Sequence, residues 1–194
     1  MSLLYPSSPF DSLPELKTER LTLRKLTMRD ADDIFAYSKD PEVAKHVLWD
    51  AHQNISESKA YLRYMIRKYR QGEPASWGIE LKSTRRIIGT IGYMWYQRDN
   101  NACEVGYSLS RQYWNQGLMT EALKAVVDYS FNYLHMHRVE AQFETTNPAS
   151  GAVMKKAGLQ YEGTLRGRLF NKGKYVDVDL YAAVRDQRRN PIGR

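Results

Sequence analysis

The sequence predicts an α/β protein, a mixed sheet with helices on its faces, and three observations carry that reading. Apolar residues recur at helical spacing over 56–70 and 117–134, and alternate at strand spacing in several shorter runs. The 117–134 helix stands between two strand-like runs, 102–109 and 138–145, and a helical crossover joins parallel strands. The other neighbouring strand runs are separated by short polar turns, so the rest of the sheet is expected to be mostly antiparallel.

Leu21, Leu23 and Leu26 mark a first strand over 19–26. Thr27 is a plausible N-cap for a helix over 30–37 with Ile34 and Phe35 turned inward. A second helix runs over 56–70, opened by the capping Ser56, with Tyr61, Leu62, Met65, Ile66 and Tyr69 at helical spacing. Residues 76–81 and 86–96 form two strands around Lys82-Ser83-Thr84-Arg85. A third strand of this group follows at 102–109, and Met119, Ala122, Leu123, Val126, Ser130, Tyr133 and Leu134 give the next helix its apolar side. A strand over 138–145 leads to a helix over 148–157 that stops at Gly158, a typical C′ glycine. Two last strands flank the hairpin signal Asn171-Lys172-Gly173-Lys174.

The 194 residues suffice for one domain with a real core. A Pro- and Ser-rich N-terminal arm (1–16) and a basic tail (187–194) are expected to flank a domain over 17–186. Hydrophobic residues are 42% and charged residues 26%, the balance of a globular chain and not of a disordered one. No apolar run approaches the roughly 18 residues needed to cross a bilayer, and the N-terminus lacks the basic start of a signal peptide, so no membrane partner and a cytoplasmic location are expected. A single cysteine, Cys103, excludes an internal disulfide and a cysteine-based zinc site. The net charge of +7 favours anionic partners, a polyphosphate cofactor among them. The cations are scattered, which argues against nucleic acid as the primary partner.

The chemistry is concentrated in CEVGYSLSRQYWNQGLMTEA, residues 103–122. A strand runs out, a turn follows, and a helix begins near Gly117. The first turn of a helix offers unpaired N–H groups and the positive end of its dipole. A glycine there lets an anion approach the backbone, the outline of a pyrophosphate cradle. Read alone, a glycine before a helix is more often just a turn residue, and Gly117 by itself is a weak signal.

The segment resembles motif A of the GNAT N-acetyltransferases, whose pattern is Gln/Arg-x-x-Gly-x-Gly/Ala at a helix start. It is more similar still to the ribosomal-protein N-acetyltransferases of the RimJ/RimL type, which read close to Tyr-Trp-Gly-x-Gly-x-x-Thr-Glu-Ala where this chain has YWNQGLMTEA from Tyr113. TERLTLRKLTMRDADDIF from Thr18, IIGTIGYM from Ile87, EVGYSLS from Glu104, NPASGAVMKKAGLQYEGTLR from Asn147 and GKYVDVDLYAAVRD from Gly173 resemble further family segments in the same order. The likeness spans about 17–186. The chain departs from it at Trp114 (Gln or Arg in motif A), at Asn115 (glycine in the RimJ/RimL group) and at Met119 (Gly or Ala). Asn tolerates positive φ better than most residues, and these positions mainly present backbone N–H groups.

The resemblance implies a GNAT-like sheet, mostly antiparallel with one splayed parallel strand pair and helices on both faces. It implies acetyl-CoA as co-substrate and an amine as acceptor, with no metal. Carried over by position, Leu109 would face the pantetheine arm, Asn147 would help hold it, and Asn115, Gln116, Gly117, Leu118, Met119 and Thr120 would surround the pyrophosphate. Glu104 is the candidate base and Ser150 the candidate acid, with Tyr107 and Tyr181 as alternative donors. Glu104 is otherwise a solvated strand residue, and Ser150 a helix-start hydrogen-bonding residue.

His135-x-His137 has no further ligand at metal spacing and reads as structural. Cys103 reads as a small buried residue. Trp77, Tyr93, Trp95 and Tyr96 line either an acceptor groove or the core. Glu121 reads as a first-turn acid favoured by the helix dipole. An α-amine, pKa near 7.7–8.0, is about a tenth neutral at pH 7, whereas a lysine amine at about 10.4 is neutral to roughly four parts in ten thousand. One weak carboxylate base therefore suits a protein N-terminus, such as that of a ribosomal protein, with a small-molecule amine as the alternative acceptor. A non-catalytic acyl-CoA sensor is the alternative outside catalysis. A homodimer is compatible with the sequence.

Overall fold

Two faces of one sheet, covered by different helices, organise the chain. The structure is a computed structural model and describes residues 8–185; the expected tail, 187–194, and the first seven residues of the arm lie outside them. The strands are β1 (Leu16–Lys17), β2 (Leu21–Arg24), β3 (Ser76–Leu81), β4 (Arg86–Gln97), β5 (Ala102–Leu109), β6 (Arg138–Glu144), β7 (Gln160–Asn171) and β8 (Lys174–Val184). The helices are α1 (Ala31–Ser38), α2 (Pro41–Ala44), α3 (Ile55–Gln71), α4 (Leu118–Asn132) and α5 (Pro148–Lys156). The eight strands form one sheet in the order β1-β2-β3-β4-β5-β6-β8-β7, in which only β5 and β6 run parallel.

The alternation of side chains along each strand divides the core. Ile88 of β4 packs in a large cluster with Leu21, Trp77, Val105, Val139 and the inner side of α4. Its neighbour Ile87 points the other way, into a smaller cluster with Leu26, Ile34, Leu62 and Met65 that seats α1 and α3. In β5 the same rule sends Cys103, Val105, Tyr107 and Leu109 toward α4, and Glu104, Gly106 and Ser108 to the opposite face.

The expected capping by Thr27 is present as a capping box with Asp30, opening a 3-10 turn that runs into α1. The second helix starts on a different cap from the expected Ser56: Asn54 accepts from the Ser56 N–H at 3.0 Å, so Ser56 already lies inside the first turn. It ends on Gly72 in the left-handed region, with φ 62°. β1 and α2 were invisible to periodicity, being too short to complete a pattern. The hairpin at 171–174 forms as expected, but β8 takes the inner position beside β6 and leaves β7 on the edge.

Residues 8–16 pack against the domain. Phe10 and Leu13 are buried, Phe10 packs on Tyr93 in a tilted pair with ring centroids 4.9 Å apart, and the Trp77 indole donates to the Pro14 carbonyl at 2.7 Å. Leu123 of α4 is fully buried in the large cluster. Leu123→Ala is expected to cost about 2–5 kcal/mol, measured as a lower denaturant midpoint; an unchanged midpoint would mean that α4 is not anchored on the sheet as described.

Candidate active site

β5 and β6 pair only over Ala102–Arg138, Cys103–Val139 and Glu104–Glu140. Beyond that register the strands part, and among the described residues the β6-facing backbone edge of residues 105–109 has no strand partner. Glu104 therefore stands at the apex of a wedge. A bulge in β4 between Tyr93 and Trp95 brings Trp95 opposite Glu104. The Trp95 indole donates to Glu104 Oε2 at 2.6 Å, and the Gln142 amide of β6 donates to both carboxylate oxygens at 3.1 and 3.2 Å. Burial pushes the Glu104 carboxyl above its ordinary pKa; the Trp95 and Gln142 bonds, which favour the ionised form, oppose that shift without cancelling it. The result is a carboxylate more basic than a solvated one, held in a fixed direction.

Ser150 and Tyr107 meet on the helix-covered side of the same wedge. The Tyr107 hydroxyl lies 2.9 Å from Ser150 Oγ and 3.1 Å from the Ser150 carbonyl, joining β5 to the first turn of α5. Burial raises the pKa of Tyr107, so its hydroxyl keeps its proton at neutral pH. Asn147 is the N-cap residue of α5; its side chain makes no capping bond, while its backbone N–H donates to the Glu144 carbonyl at 2.7 Å. The expected acid and base are thus on opposite faces of the sheet, separated by the gap between the strands.

At the wide end of the wedge, α4 begins on Gly117, which adopts φ 75°. Asn115 is also left-handed, with φ 58°, a conformation that Asn accepts in place of glycine. Asn115, Gln116 and Gly117 are exposed, and the Leu118 and Met119 side chains are buried beneath the helix. Met119 thus anchors the helix through its side chain, leaving the first-turn N–H groups of Leu118, Met119 and Thr120 outside the helical ladder. The Leu109 side chain is buried and its carbonyl accepts from the Trp114 indole at 2.8 Å, which fixes the turn that leads to the cradle.

Several groups were not singled out by sequence reasoning. Gln142 is one, although polar residues at 140, 142 and 144 alternate with apolar ones at 139, 141 and 143 and so mark a polar face. Another is the buried Glu144, whose carboxylate bonds the His46 Nδ1 at 2.9 Å and the Asn171 amide, tying β6 to the chain after α2 and to the β7–β8 turn. His46 left no signal because it lies in irregular chain. Glu121 does more than complement the dipole: it accepts from the Thr18 hydroxyl, the Arg20 N–H and the Arg20 guanidinium. Burial raises its pKa, but these bonds outweigh that and hold the carboxyl below its ordinary value.

Of the tempting aromatics, Trp77 and Tyr93 are core, Tyr96 packs beside them, and Trp95 alone touches a candidate site residue. Cys103 is fully buried and burial pushes its thiol up to about 12, which removes it as a nucleophile. Among the described residues no group of three or more His, Cys, Asp or Glu could hold a metal ion, and no helix is long and apolar enough to cross a membrane.

Residues 20–160 match the model of the acetyltransferase (GNAT) domain. An uncharacterized N-acetyltransferase p20 of Bacillus licheniformis is 33% identical over 170 residues, covering 88% of this chain and 96% of that protein. The ribosomal protein uS5-alanine N-acetyltransferase of Escherichia coli is 29% identical over 175 residues, covering 86% of this chain and 89% of its own length. Among solved structures, the ribosomal L7/L12 alpha-N-protein acetyltransferase RimL in complex with coenzyme A superposes with a TM-score of 0.79 at 19% identity, covering 88% of this chain and 98% of that one. With the parted parallel strands, the helix start behind Gly117 and this kinship together, the chain belongs to the GNAT acetyltransferase family and is an N-acetyltransferase.

Proposed function

We propose that the chain acetylates a protein N-terminal α-amine with acetyl-CoA as donor. The observation that carries this reading is the wedge between β5 and β6, with a basic carboxylate at its apex and a helix N-terminus at its mouth. The open edge of β5 fits an extended amide-bearing arm, and the exposed Asn115–Gly117 turn with the α4 N–H groups fits a pyrophosphate. Leu109, Asn147 and the 115–120 turn would hold acetyl-CoA, which supplies the acetyl group as a thioester.

The residues then divide the proton traffic. Glu104 accepts the proton of an amine presented on the face that carries Gln142 and Glu144. Tyr107 and Ser150 lie across the gap, where a hydroxyl pair can hand a proton to a departing thiolate. No protein nucleophile is needed, in keeping with the inert Cys103. The names of the uS5-alanine and L7/L12 alpha-N enzymes support an N-terminal acceptor, coenzyme A as the carrier and a ribosomal protein as the partner class.

Acetyl-CoA at 100 times Kd is expected to stabilise the fold by about 2.7 kcal/mol in thermal unfolding, and absence of any shift at millimolar ligand would sink the donor assignment. Glu104→Gln is expected to lower kcat/KM roughly 100- to 10,000-fold and to abolish the acid limb of its pH profile, whereas full activity would point to a sensor or to another base. Because folding raises the Glu104 pKa, its ionised form costs stability at neutral pH, and that cost fades as pH falls through the folded pKa. Glu104→Gln should therefore melt at or above wild type at pH 7–8, the gap closing toward about pH 4; a lower melting point at neutral pH would contradict the burial argument. A thiol-release screen with N-terminal peptides, polyamines and aminoglycosides tests the acceptor, and turnover of small amines alone would replace the protein acceptor with a small molecule.

A further inference from the structure

The turn between β1 and β2 reaches the mouth of the wedge from the other end of the chain. Arg20 sits in that turn with its side chain 43% exposed, and its guanidinium is held on two sides. Nε pairs with Glu121 Oε2 at 2.7 Å, and Nη1 donates to the Gln116 carbonyl at 2.9 Å. Glu121 is itself fixed by the Thr18 hydroxyl and the Arg20 N–H, so the whole clamp is rigid at the level of hydrogen bonds. Nη2 is the remaining arm of the fork, and it makes no hydrogen bond among the described residues. Among the described residues, leaving aside the neighbouring chain of Gly117 itself, it is the one heavy atom within 4 Å of the place where a side chain on Gly117 would begin, at 3.6 Å.

The guanidinium edge thus lies beside Gly117, the residue from which α4 and its unpaired first N–H groups begin. Two donor sets of different origin meet at Gly117: one from a helix terminus, one from a side chain 97 positions earlier in the sequence (117 − 20). Glu121 balances the charge of Arg20 but uses only Nε, and Gln116 uses Nη1, which leaves Nη2 for an oxyanion. A planar fork held at two points loses little entropy when it takes a third partner.

We propose that Arg20 is a ligand of the acetyl-CoA pyrophosphate, aimed by Glu121 and Gln116, so that the cradle is completed by the β1–β2 turn and not by the 115–120 segment alone. The inference rests on the acetyl-CoA reading and adds a residue to it. It also gives the Thr18–Arg20 turn a task that β1–β2 pairing does not explain, since Arg20 lies outside both strands.

Titration calorimetry on the full chain tests it with three donors: acetyl-CoA, its 3′-dephospho form, and acetyl-pantetheine measured by displacement. Arg20→Gln is expected to weaken acetyl-CoA and dephospho-acetyl-CoA alike, by about tenfold, and to leave acetyl-pantetheine unchanged. Arg20→Lys, which keeps the charge without the fork, should show the same pattern to a smaller degree, and carries the comparison if Arg20→Gln fails to fold. Equal weakening of acetyl-pantetheine would reduce Arg20 to a support of the fold. Weakening confined to acetyl-CoA would move its contact to the 3′-phosphate and overturn the pyrophosphate assignment, as would undiminished binding of both nucleotides. Failure of the wild-type chain to bind acetyl-CoA at all would remove the donor reading itself, a result distinguishable from each of these.

Discussion

Backbone N–H and C=O groups inside a protein need partners, and a strand that loses its neighbour must find others for them. β5 meets this demand on one side along its full length through β4, but on the other side its pairing with β6 ends at Glu104. The open edge that follows is the feature around which the remaining parts of the site are arranged. It separates the two faces of the sheet just where Glu104 faces one way and Tyr107 the other. It also sends the end of β5 away from β6, so that the next helix starts at the mouth of the gap.

The gap persists because its two walls are held by contacts that do not cross it at the backbone. On the β5 side, the Trp114 indole caps the Leu109 carbonyl and α4 is buried through Leu118, Met119 and Leu123. On the β6 side, the strand is paired over its whole length with β8, and Glu144 fastens its end to His46 and Asn171. Side chains bridge where the backbones do not: Gln142 to Glu104 on one face, Tyr107 to Ser150 on the other. Each bridge keeps a polar group of the proposed chemistry satisfied and oriented while the gap is open.

Charge is distributed to match. The anion-facing end has a helix N-terminus and Arg20, whose counter-ion Glu121 accepts three hydrogen bonds. The amine-facing side has carboxylates at 104, 140 and 144 on neighbouring positions of β5 and β6, two of them already paired with Arg138 or His46. Among the described residues Glu104 is the one of the three without a basic side chain in hydrogen-bond contact, and burial raises its pKa, whereas at Glu144 burial is outweighed by the hydrogen bonds from His46 and Asn171, which lower it. The same residue type thus acquires two behaviours from its surroundings.

Much of this was legible in the chain itself. Periodicity located nearly every strand and helix, because each exposes one face and buries the other. The strand–helix–strand order of 102–145 required the parallel pair, and the 103–122 segment with its ordered companions pointed to the family. Local sequence could also say that Asn115 and Gly117 tolerate positive φ. It could not say that β8 would insert beside β6, since either arm of a hairpin can take the inner place. Nor could it choose the face on which Glu104 lies, because period-two alternation defines two faces without naming them. The partners of Glu104, Glu121 and Glu144 come from positions 9 to 103 residues away, and such contacts exist only once the sheet and its helices have been assembled.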